Sequence, residues 1–113
     1  MDNTFTGGRV KIANHIIEKI IREACVEVPG VAEVLSGQDF VSYDKFTTTD
    51  SSKGVKLATR DGQVRIDLRL EVLGAEDLTK VAEEVQRNVS EKLAVITGLK
   101  VIEVNVTIEG LKG

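Results

Sequence analysis

The chain holds one histidine, His15, and one cysteine, Cys25, and these two residues bound the chemistry it can carry. A thiolate nucleophile needs a neighbouring cation or base, and a zinc or iron–sulfur site needs several His or Cys ligands at short spacing. His15 stands at the start of an amphipathic segment, with no second His or Cys at ligand spacing. Cys25 falls on the apolar stripe of Ile17, Ile21 and Ala24, which makes it a small buried hydrophobe rather than a nucleophile. Ser and Thr are plentiful between Ser36 and Gly54, but no G-x-S-x-G turn accompanies them. Neither G-x-x-x-x-G-K-[ST] nor G-x-G-x-x-G occurs, so nucleotide binding has no sequence support. We expect no catalytic residues, no cofactor, no metal and no enzymatic activity.

Two residue sets keep functional weight. Arg65, Asp67, Arg69 and Glu71 alternate with aliphatic residues, which puts them on one face of a strand about 7 Å apart at a rise of about 3.4 Å per residue. Their signs alternate, so an antiparallel copy of the row could oppose unlike charges. That arrangement predicts a weak homo-oligomer; the other reading is a solvated sheet face with cross-strand pairs. Phe40, Tyr43 and Phe46 place three of the four aromatic residues inside a polar stretch. They read either as a small cluster that pins a loop or as a partner-binding tip.

The elements that position these residues follow from periodicity. Ile16, Ile17, Ile20, Ile21, Ala24 and Cys25 make one helical stripe, with Asn14 as N-cap and Pro29-Gly30 as the stop. Val31 to Leu35 reads as a short strand, and Arg9 to Ile12 as an edge strand or an entry segment. Residues 1–8 read as a frayed end, and the polar segment 37–53 as a long variable loop. Val55 to Thr59 and Gln63 to Leu73 are strands joined through Arg60-Asp61-Gly62, a hairpin signal because primed turns need positive φ. Leu78, Val81, Ala82, Val85, Val89, Leu93 and Ile96 form the stripe of a long second helix, capped at Gly98. In the last strand Val104, Val106 and Ile108 share one face, while Leu99 and Val101 have the opposite parity. A bulge near Ile102-Glu103 would reconcile them.

The fold class is therefore α+β: a two-layer sandwich with two helices on one face of a mixed sheet, in the order α-β-β-β-α-β. At 113 residues the chain is one domain, 1–113, with a single core. Fifteen basic against eighteen acidic residues give a net charge of −3, which argues against a nucleic-acid backbone binder. The longest strictly apolar run is Leu93 to Ile96, far short of the roughly 20 residues of a spanning helix. No signal-peptide pattern opens the chain. A cytoplasmic protein without direct membrane insertion is expected.

Gly8 to Val31, running Gly-Arg-Val-Lys-Ile-Ala-Asn-His-Ile-Ile-Glu-Lys-Ile-Ile-Arg-Glu-Ala-Cys-Val-Glu-Val-Pro-Gly-Val, resembles the opening signature of the alkaline-shock protein family of Gram-positive bacteria. Gly54 to Leu57, Val64 to Val72 and Val81 to Gln86 resemble its middle section, and Thr97 to Val106 its closing signature. The resemblance covers all but residues 1–7 and about 37–53. It implies an abundant, non-enzymatic cytoplasmic protein of the envelope or general stress response. It further implies self-association and, in some members, a separate membrane-anchoring protein as partner. The long charged tails of the larger members are missing here. The hairpin, helix and strand order also resembles scaffold domains of iron–sulfur cluster assembly. Those place cysteines where this chain has Gly74-Ala75-Glu76-Asp77. A nucleic-acid module of the K-homology type would need a basic G-x-x-G loop between helices, which is missing.

Overall fold

The structure, a computed structural model, describes residues 7, 8, 10–35, 48–49 and 55–113, with backbone alone at 48, 49 and 56. Helix α1 (Asn14–Val26) leads into β1 (Val31–Val34); β2 (Thr48–Thr49), β3 (Val55–Arg60) and β4 (Gln63–Leu73) follow, then α2 (Leu78–Thr97) and β5 (Lys100–Lys112). The expected α+β order holds, with the two-residue β2 added inside the segment read as a loop. Residues 10–12, read as an edge strand or an entry segment, are not a strand, and Val10 there is 90% exposed.

β4 organises the sheet. β5 runs parallel to it along its whole length, from Gln63 opposite Lys100 to Leu73 opposite Lys112. The other edge of β4 is shared end to end. β3 pairs antiparallel with residues 63–68 and β1 with residues 70–72, while β2 adds to the far side of β3. A parallel neighbour needs a long crossover, and α2 supplies it between β4 and β5.

The hairpin between β3 and β4 turns on Asp61 (φ 50°) and Gly62 (φ 78°), the pair of positive φ values that a primed turn demands. α1 ends where the chain must turn beneath α2. Gly30 has φ +100°, and a Cβ there would lie 2.8 Å from Val81 Cγ2. Only glycine allows that approach, and the Gly30 carbonyl then accepts from Leu73 N–H at 2.8 Å.

The inner face of β4 presents Val64, Ile66, Leu68, Leu70 and Val72, all buried. Ile17, Ile21, Ala24 and Cys25 of α1 and Val81, Val85, Val89 and Leu93 of α2 close over them as one core. Three expectations from periodicity shift at element ends. Ile16, Leu78 and Ile96 are exposed, because the stripes run past the surface that covers them. Asn14 is the first helical residue rather than the cap: Ala13 takes that place in extended conformation, and no side chain caps the turn. Asp77 does cap α2, accepting from Lys80 N–H at 3.2 Å.

Candidate functional site

β4 alternates without interruption, so Arg65, Asp67, Arg69 and Glu71 all lie on the sheet face that no helix covers, half-buried. The register of β5 decides what they meet. Val64 sits opposite Val101, but Arg65 sits opposite Glu103, so Ile102 is an extra residue and reverses the parity of the strand after it. Beyond that bulge the inner side of β5 carries Val104, Val106 and Ile108, and the outer side Glu103, Asn105 and Thr107. A second shift between Ile108 and Gly110 inserts Glu109.

The outer face is consequently a double row of polar side chains tied across the two strands. Arg65 Nη2 donates to Glu103 Oε1 at 3.2 Å. The Asn105 amide donates to Asp67 Oδ1 at 2.8 Å and to Glu103 Oε1 at 2.9 Å. Arg69 donates to Glu109. Glu71 lies against Gly110, where an added Cβ would meet its carboxylate at 3.2 Å. The Asn105 amide, then the Arg65 guanidinium, hold the Glu103 carboxyl below its ordinary value of 4.5. At the hairpin end the bulged Ile102 is half exposed and lines a shallow hollow with Ala58, Arg60, Gln63 and Arg65.

All four predicted charged residues are thus brought together, and their signs are balanced mostly from within the chain. Sequence reasoning found their row but missed its partners in β5. The available signal was the parity break at Ile102, which turns Glu103 and Asn105 outward once β5 is laid beside β4. Phe40, Tyr43 and Phe46 lie outside the described residues.

The remaining chemistry-bearing residues are structural. Burial pushes the Cys25 thiol up to about 12, so the fully buried sulfur carries its proton at neutral pH and is a poor nucleophile. His15 is exposed at the start of α1, in a shallow groove with Glu18, Lys19 and Arg22. Among the described residues no three His, Cys, Asp or Glu side chains gather as metal ligands would. None of the described helices is long and apolar enough to cross a membrane. Away from the sheet, Asn88 donates to Ala24 O at 2.7 Å and to Glu27 at 3.1 Å, and Lys92 pairs with Glu27. These bonds pin the end of α1 to α2.

Residues 2–113 match the model of the alkaline-shock protein family, described as having a cell envelope-related function. The chain belongs to that family. Among its relatives, the uncharacterized protein YqhY of Bacillus subtilis is 34% identical over 105 residues, 93% of this chain and 78% of YqhY. A stress response regulator gls24 homolog of Streptococcus pyogenes is 29% identical over 106 residues, 93% of this chain but 59% of that protein. The resemblance read from the three motif blocks therefore stands, and it places the chain in a cell-envelope and stress-response family. Similar solved structures include MamM CTD in its cadmium form, with a TM-score of 0.62 over 88% of this chain and 100% of that one. The copper form gives the same TM-score and coverage. At 16% identity this likeness speaks to the fold alone.

Proposed function

We propose that this alkaline-shock family member is a non-enzymatic interaction protein of the cell-envelope or general stress response. It works through self-association or through a partner held near the membrane, from the cytoplasmic side. The observation that carries this reading is the uncovered sheet face, where Arg65, Asp67, Arg69 and Glu71 are locked against Glu103, Asn105 and Glu109. Ordered charged side chains on a rigid sheet give a recognition surface with fixed signs and spacing. Rigidity reduces the entropy that association would otherwise cost. The relatives' names, a stress response regulator among them, favour the same class over a catalyst.

Affinity capture from crosslinked cells tests the proposal, with the native chain beside a variant carrying Asp67→Lys and Glu71→Lys. Recovery of the chain itself or of a membrane-anchored envelope protein, lost with the variant, is the expected result. Recovery of RNA or of an iron–sulfur assembly complex, unchanged by the variant, would replace this reading with one of those classes.

A further inference from the structure

The fold leaves one long strand half paired. Among the described residues β5 has β4 as its sole strand partner, so its outer edge presents backbone donors and acceptors along a 13-residue strand. Bulges at Ile102 and Glu109 bound a regular stretch, 103–108, in the middle of that edge. One of its carbonyls is already claimed from outside the sheet. Gln86, on α2, donates its amide to Val104 O at 3.0 Å. A ladder carbonyl turned toward β4 would be engaged there, so this bond marks Val104 as a residue whose backbone faces outward.

We infer that a second copy of this chain adds to the β5 edge in antiparallel register centred on Asn105, joining two sheets into one. This rests on the self-association reading above and gives it a location. A two-fold axis normal to the sheet sets each residue opposite one of the same facing, so a single residue must lie opposite its own copy. Within the regular stretch that residue is Asn105 or Val106. Centring on Val106 would set Glu103 opposite Glu109 of the second copy, two carboxylates directly across, which is unfavourable. Centring on Asn105 sets Glu103 opposite Thr107, a hydroxyl that donates to it, and Val104 opposite Val106. Like charge therefore selects Asn105. In that register the outward-facing Val104 and Val106 exchange the ladder bonds. Val104 O takes an N–H from the second copy in place of the Gln86 amide. Gln86 is thus an edge guard, and the association it opposes is weak.

The test uses the whole chain with cysteines placed on the edge; native Cys25 is fully buried and does not compete. Opposed residues in an antiparallel pair lie about 4.5–5.5 Å apart at Cα, within disulfide reach. Asn105→Cys alone should oxidise to a covalent dimer. Glu103→Cys and Thr107→Cys should each cross-link poorly alone and readily when mixed. Sedimentation supplies a readout that damage to the fold would not mimic. Gln86→Ala should tighten the dimer by about fivefold or more, if each of two lost competing bonds is worth about 0.5 kcal/mol or more. Dimers that cross-link through Asp67→Cys but not Asn105→Cys would overturn the edge register and leave face-to-face association standing. A strict monomer at high concentration for both the native chain and Gln86→Ala would overturn the edge and self-association together.

Discussion

The two faces of β4 are built from the same eleven residues and obey opposite rules. Inward, Val64, Ile66, Leu68, Leu70 and Val72 bury almost every atom against two helices. Outward, Arg65, Asp67, Arg69 and Glu71 stay half exposed and answer to the neighbouring strand. The inner face is non-directional and depends on volume. The outer face depends on register, since each charge must find its own partner one strand away. A change on the first should threaten the fold, and a change on the second should mostly alter what the surface pairs with.

The largest separation of the two should come from Val85→Asp. Val85 is fully buried beneath α2, and a carboxylate there has no partner, so a loss above about 4 kcal/mol is expected. Circular dichroism and thermal denaturation should find no cooperative transition. A near-native melt would mean that the helix layer does not cover β4.

Alkali probes the same interior more gently. The folded thiol of Cys25 ionises near 12 against an ordinary 9.0, because burial disfavours the thiolate. A raised folded value contributes stability that is complete below the unfolded value and lost as pH rises through the folded one. The loss should be about 1.4 kcal/mol per pH unit between roughly pH 9 and 12. Denaturant titrations of the native chain and Cys25→Ala should differ in slope over that window. Parallel slopes would show that the thiol is not desolvated.

On the outer face Arg69→Glu should cost about 1–2 kcal/mol, more than an ordinary surface pair, because it sets like charges against Glu109 and both side chains are only 22% and 33% exposed. Arg65→Glu should cost less, about 1 kcal/mol or below, since Arg65 and Glu103 are each 41% exposed. Equal costs would mean that exposure does not grade the two pairs. Reversing both arginines together is therefore not neutral for stability, contrary to what a free surface row implies.

The smallest effect lies in acid. Glu103 and Glu27 are held below 4.5, the first by Asn105 and Arg65, the second by Lys92 and Asn88. A lowered folded value gives stability that is present above the ordinary carboxylate value and lost as pH falls through the folded one. Melting temperature should decline below about pH 4.5, and Glu103→Gln should blunt the decline. An identical acid profile in that variant would remove Glu103 from the account.

Much of this architecture was legible because β4 and α2 repeat one rule over many residues. Eleven alternating positions and five turns of helical stripe leave little freedom of register or face. The Asp61-Gly62 turn and the bulge at Ile102 were legible for another reason, since positive φ and broken parity leave local marks. Element ends were less so: Leu78 and Ile96 keep the period of the stripe, but burial depends on what lies opposite, which periodicity does not encode. The same limit hid Glu103, Asn105 and Gln86. Their roles arise only when β5 lies parallel to β4 and α2 lies above its edge.

The two flanks of β4 also differ in when they can form. The hairpin with β3 closes through a two-residue turn, whereas Arg65 and Glu103 are 38 residues apart in the chain. Ring closure of that length is entropically costly, and parallel pairing is slow because the crossover helix must be in place first. The hairpin can therefore nucleate alone, while the charged double row waits for α2 to dock. Until then β4 shows one bare edge and four uncompensated charges, so the interval before β5 arrives is when this chain is most open to wrong partners.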